Sequence, residues 1–114
     1  MTLDQLLDYA LSKSEVEQSL PFGPDVLVLK TSGKIFLLIP LDTDPLRFNA
    51  KCHPERAEQL REEYSGIVPG YHMNKKLWNT VLLDGSVPGT LVRELIDHSY
   101  ELIRAKSKKP APKK

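Results

Sequence analysis

VLVLK at residues 26–30, TSGK at 31–34 and IFLLIPL at 35–41 form the stretch that decides the fold. Both apolar runs are rich in β-branched and aliphatic side chains, and each is far shorter than a bilayer span. A short break containing Gly33 between two such runs reads as a β-hairpin. An antiparallel sheet is therefore the nucleus around which the rest of the chain must pack.

Upstream, PFGPD at 21–25 places two prolines and a glycine within four residues, which interrupts any regular element and imposes a tight loop. Before it, Thr2 and Gln5 have capping-box spacing, and Leu3, Leu6, Leu7, Ala10 and Leu11 recur at helical intervals. That helix is expected to fade within SKSEVEQS at 12–19. Downstream, RFNAKCH at 47–53 alternates, which assigns Phe48, Ala50 and Cys52 to the core and Arg47, Asn49, Lys51 and His53 to water. HPERAEQLREEY at 53–64 opens with a proline suited to the first turn of a helix and repeats Ala57, Leu60, Arg61 and Tyr64 along one face. SGIVPG at 65–70 closes that helix. LWNTVLL at 77–83 reads as a strand with Trp78, Thr80 and Leu82 on its buried side, whereas YHMNKK at 71–76 fits a strand or a loop. After Pro88 a last helix carries the stripe Leu91, Val92, Leu95, Ile96, Ser99, Leu102 and Ile103.

This order of elements predicts an α+β fold: a two-layer sandwich, with an antiparallel sheet, helices packed on one face and the other face open. Residues 1–105 are expected to form a single domain and 106–114 a lysine-rich disordered tail. Hydrophobic residues make up 40% and charged residues 27% of the chain, which excludes a wholly disordered protein. The acids in MTLDQLLDYA argue against a secretory signal, so a cytoplasmic protein is expected. Cys52 is the single cysteine and can form no internal disulfide.

The formal net charge of +1 hides an asymmetry. Five lysines lie in residues 106–114 with no acid among them; setting them aside from the 16 basic residues leaves 11 against 15 acids, about −4 for the body. Acids concentrate on the predicted helices, at Asp4, Asp8, Glu55, Glu58, Glu94 and Glu101 among others, whereas cations gather in and beside the strands. A lopsided surface of this kind suits a phosphate backbone, although lysine on exposed strands also keeps a protein soluble.

GYHMNKKLWNT at 70–80 adds aromatic rings that stack on bases, amides that read base edges and lysines that neutralise phosphates. The candidate nucleic-acid contacts are Lys30, Lys34, Arg47, Lys51, His72, Asn74, Lys75, Lys76 and Asn79, with Trp78 as buried scaffold. Catalytic signals are absent. His53, His72 and His98 show no metal-binding spacing, and Glu94 with His98 reads as a helical ion pair. Cys52 and His53 point to opposite faces of a strand and cannot share a proton, and SGK lacks the spacing of a phosphate-binding loop.

Four segments taken together carry a family resemblance: PFGPDVLVLK with SGKIFLLI, KCHPERAEQLREEY, VPGYHMNKKLWNTVLLDGSVP and ELIDHSYELI. They are similar to the YjbR/MmcQ-like family of small bacterial proteins, over most of residues 1–105, with VPGYHMNK followed by WNTV as the most specific part. The resemblance implies a CyaY-like fold and noncatalytic DNA binding through a double wing, carried here by the HMNK stretch, Trp78, Asn79 and Thr80. Leu77 departs from the family pattern, where a polar residue or histidine is expected. The implied partner is DNA, bound by a monomer with no cofactor, metal or membrane. The rival reading is a protein or small-ligand binding module in which the PFGP loop and Tyr71 to Trp78 rim a pocket. A third, iron binding as in frataxin-like proteins, finds only Asp4 and Asp8 on the first helix.

Overall fold

The computed structural model describes residues 1–70 and 74–107. Its elements in chain order are α1 (Leu3–Leu11), β1 (Val16–Ser19), β2 (Val26–Thr31), β3 (Lys34–Pro40), β4 (Arg47–Lys51), α2 (Pro54–Glu63), β5 (Ile67–Pro69), β6 (Trp78–Leu82) and α3 (Gly89–Ser107). The six strands form one antiparallel sheet in the order β1-β2-β3-β4-β6-β5. The fold is α+β, as the hairpin predicted.

Local chemistry accounts for the elements. At the start of α1 the capping box is complete: Thr2 Oγ1 accepts from Gln5 N at 3.2 Å, and Gln5 Oε1 accepts from Thr2 N at 2.9 Å. The β2–β3 hairpin turns on Ser32 and Gly33, both at positive φ, the left-handed pair that a two-residue hairpin loop requires. Register then slips between Leu29 and Lys30, because Leu29 pairs with Leu37 but Lys30 with Ile35. The extra residue is Phe36. This bulge turns both Phe36 and Leu37 into the core, where the Phe36 ring meets Tyr100 edge-on at 5.4 Å.

The core lies between the sheet and the three helices. It gathers Leu29, Leu37, Phe48, Ala50 and Val81 from the sheet with Leu6, Ala57, Leu60, Val92, Ile96 and Ile103 from the helices. Each large side chain here contributes about 1.5–3 kcal/mol by leaving water. Polar contacts tie the layers. Tyr9 OH donates to Asp97 Oδ1 at 2.7 Å, Arg104 reaches Glu15 and Thr31, and Lys13 pairs with Asp97 at 2.5 Å. Ser99 Oγ donates to Phe36 O at 2.6 Å and accepts from Lys51 N at 2.9 Å, so one hydroxyl of α3 joins β3 to β4.

Four expectations need correction. The first helix does not simply fade, since Val16–Ser19 forms edge strand β1. Ile67–Pro69, read as a helix closure, forms edge strand β5. The last helix runs to Ser107, past the expected domain end at 105. Finally, Glu94 pairs with Arg56 of α2 at 2.9 Å rather than with His98.

Candidate functional site

Strand register decides which side chains share a face. Phe48, Ala50 and Val81 belong to the core, so their strand neighbours Arg47, Asn49, Lys51, Trp78, Thr80 and Leu82 point to the opposite, helix-free face. The pairing then aligns one residue from each strand in a row: Ser19, Val28, Leu38, Asn49, Thr80 and Val68. In the middle of this row the Thr80 hydroxyl donates to Asn49 Oδ1. Asn49 is 8% and Thr80 4% exposed although no helix covers them. On β4 and β6, Lys51 lies opposite Trp78 on one flank of that pair, and Arg47 opposite Leu82 on the other. All four flanking residues are half-buried.

The expected phase of β6 is therefore reversed. Trp78, Thr80 and Leu82 lie on the helix-free side, and Asn79 faces the helices. Asn79 is 3% exposed, its Nδ2 donates to Ala57 O at 3.3 Å, and its Oδ1 accepts from Arg61 Nη1 at 2.7 Å. Pairing causes the reversal: Asn79 sits beside Ala50, and Val81 beside Phe48, so both are carried inward. Both ends of the Asn79 amide are thus engaged, by Arg61 and by the Ala57 carbonyl, on the helix side of the sheet.

The remaining candidates divide. Arg47 and Lys51 share the helix-free face; Arg47 Nε donates to Pro45 O at 3.3 Å. Lys30 pairs across the sheet with Glu17 and lines a shallow depression of about 370 Å³ with Glu15 and Glu17, so carboxylates mute its field. Lys34 begins β3 beside the hairpin turn and is exposed. Asn74 shapes a turn, its Oδ1 accepting from Lys76 N at 3.0 Å. Lys75 is pinned through its carbonyl, which accepts from Arg61 Nη1 at 3.0 Å. Lys76 lines a depression of about 230 Å³ with Glu55, Glu58 and Arg61, on the helix side of the sheet. His72 lies outside the described residues, as do Tyr71 and the lysines from 108 onward.

Cys52, just after β4, and His98, on α3, both have shifted pKa values. Burial pushes the Cys52 thiol up, against the opposing pull of Arg56. Burial also holds His98 down, assisted by Arg56 and His53 and opposed by Glu94. His98 Nε2 accepts from His53 N at 3.2 Å, and His53 is the N-cap of α2 with no side-chain cap of its own. The neutral imidazole of α3 thus satisfies an amide at the start of α2. Among the described residues no three His, Cys, Asp or Glu side chains are grouped to hold a metal ion, and no helix is long and apolar enough to cross a membrane.

Comparison with known proteins completes the description. The YjbR family model matches residues 11–102. The chain belongs to the YjbR family. Its relatives there include the uncharacterized protein YjbR of Escherichia coli K12, 35% identical over 101 residues, covering 89% of this chain and 86% of that protein. The uncharacterized protein YbdF of Escherichia coli O157:H7 is 38% identical over 94 residues, covering 82% and 77%. A Deinococcus radiodurans crystal structure with a DUF419 domain superposes on this YjbR-family chain with a TM-score of 0.91 at 38% identity, covering 96% of this chain and 83% of that one. A Pseudomonas syringae crystal structure gives a TM-score of 0.79 at 32% identity, covering 91% and 100%.

The alternation of β6 assigned Trp78 and Thr80 to the buried side, although the family resemblance had named both among the binding positions. A usable signal was present in Arg61. A guanidinium on the inward stripe of α2 needs a polar partner, and Asn79 is the amide that β6 can offer.

Proposed function

We propose that this YjbR-family protein is a noncatalytic, monomeric, cytoplasmic DNA-binding module of modest affinity that uses the helix-free face of its sheet. The observation that carries this reading is the grouping of Arg47 and Lys51 with Trp78 on that face, while Glu55, Glu58, Glu94 and Glu101 ride on the helices behind it. Cations beside an aromatic ring match a phosphate backbone and a stacked base, and the segregated acids orient the approach. Its noncatalytic character is supported by the buried Cys52 thiol and by the His98 Nε2 already engaged with a backbone amide. Lys75 and Lys76 become secondary contacts, since Glu55 and Glu58 flank Lys76.

Fluorescence anisotropy with labelled DNA at several salt concentrations tests the reading. The double variant R47E/K51E is expected to weaken binding and flatten the log–log salt slope by about 1.5–2, the value for two lost phosphate contacts. K75E/K76E should act more weakly. Truncation after Ser107 should leave most of the affinity; if binding disappears with residues 108–114 instead, the folded domain is not the site.

A second reading, a protein-binding module, is favoured by Phe22, 65% exposed, next to the exposed Leu20 and Leu41. Leu41 N donates to Asp25 O at 2.7 Å, which brings Leu41 to the base of the same loop. Partner binding insensitive to salt but abolished by F22S would favour this reading over the first.

A further inference from the structure

We propose that Asn49 reads the base on this face: its Nδ2 donates to a carbonyl oxygen of a single-stranded base stacked on Trp78, favouring thymine over adenine. This rests on the DNA-binding reading above and adds a strand preference and a base preference to it.

Three observations carry the inference. First, the amide is oriented by a neighbour on the same face. The Thr80 hydroxyl donates to Asn49 Oδ1, and Nδ2 has no hydrogen-bond partner among the described residues. Asn49 keeps 8% of its surface exposed, so the amide sits just beneath the surface of the sheet. Second, the amide is recessed. Asn49 lies at the centre of the six-strand row, between the Lys51–Trp78 pair and the Arg47–Leu82 pair, with only 8% of its surface exposed. A base paired within a duplex cannot bring its edge to an amide at that depth, whereas an unstacked base can. Third, the spacing fits. Trp78 and Thr80 are two residues apart on β6, about 7 Å along the strand, so a base stacked on the indole extends its edge toward the Asn49 amide.

The base preference follows from the donor pattern. Asparagine recognises adenine through a fork in which both its oxygen and its nitrogen point at the base. Here the oxygen is turned toward Thr80, leaving only a donor facing outward. Thymine offers carbonyl acceptors to that donor, whereas adenine places its amino group beside each accessible ring acceptor on its Watson–Crick and Hoogsteen edges. Lys51 and Arg47, on either flank, are placed to hold the phosphates on both sides of the bound base.

The experiment compares oligothymidylate with oligoadenylate of equal length by anisotropy, using the wild-type chain, Asn49→Asp and Thr80→Val. Wild type is expected to bind oligothymidylate about fivefold more tightly, the factor associated with one hydrogen bond. Thr80→Val frees the amide to present both atoms, so adenine gains and the ratio falls below about twofold. Asn49→Asp replaces the donor with a charged acceptor, which lowers affinity for both oligomers and removes the preference. Thermal melts establish that each variant is folded, and either folded variant suffices. Loss of the preference supports the inference. A ratio unchanged from wild type in a folded variant overturns it while leaving DNA binding intact, provided R47E/K51E still weakens binding. A duplex that outcompetes both single strands also overturns it. Absence of salt-dependent binding to any oligomer refutes the DNA reading itself, and this inference with it.

Discussion

Replacing Asn79 by alanine should destabilise the protein strongly and leave ligand contacts on the helix-free face untouched. Two hydrogen bonds are lost. The bond from Arg61 at 2.7 Å is short and charge-assisted, a class worth about 1.5–3 kcal/mol. The bond to Ala57 O at 3.3 Å is long and adds about 0.5 kcal/mol. Arg61 retains Lys75 O as an acceptor, so its charge is not stranded. The expected loss is therefore about 2–3 kcal/mol, and at about 4 °C per kcal/mol for a domain of this size the melting temperature should fall by about 8–12 °C. Trp78, the single tryptophan and the neighbour of Asn79 on β6, provides a fluorescence probe for urea and thermal denaturation. In a double-mutant cycle with Arg61→Leu the losses should fall short of additivity by 1 kcal/mol or more, on the order expected for partners in one bond. A loss under about 0.5 kcal/mol, together with weakened DNA binding, would refute the buried placement and restore Asn79 as a surface contact.

Two further predictions concern the helix layer. His98 titrates below its ordinary value of about 6.5 in the folded chain, so the unfolded chain binds more protons between the folded and ordinary values. Stability should be complete above about pH 6.5 and decline as the pH falls toward the folded pKa; His98→Gln, which cannot titrate, should flatten that part of a stability-against-pH curve, and an unchanged slope assigns it to other groups. Cys52, buried and with its thiol pushed up, should react slowly with iodoacetamide in the native protein and rapidly in denaturant, and equal rates would show that β4 opens freely.

The sequence displayed the fold wherever periodicity was strong. The apolar runs at 26–41 form the two hairpin strands, and the stripe from Leu91 to Ile103 buries Val92, Leu95, Ile96, Ser99 and Ile103, so pattern and structure coincide there. Edge strands gave no such signal. VEQS in β1 is polar because only one of its edges is paired, and IVP in β5 is too short to show a period. At the candidate site the alternation was readable but its phase was not. WNTVL offers two sets, Trp78, Thr80 and Leu82 or Asn79 and Val81, and the larger apolar side chains favour the first for the core. Long-range pairing with β4 and the Arg61 partner reverse that choice, and neither is visible within five residues of chain. Lys51 and Arg47 were legible because Phe48 and Ala50 between them can only face inward.

Ser99 restricts what may replace it in a way that its neighbours do not. Direct pairing between β3 and β4 extends over Leu37–Ala50 and Leu38–Asn49, and beyond it one hydroxyl bridges the Phe36 carbonyl and the Lys51 amide. Val92, Leu95 and Ile96 can exchange with other aliphatic residues of similar volume at modest cost. Position 99 accepts only a side chain small enough to enter the gap and able to donate and accept at once, which in practice means serine, with threonine tolerated if its methyl group fits. A solitary hydroxyl in an apolar helical stripe is therefore a mark, readable in the chain itself, of where two strands part beneath a helix.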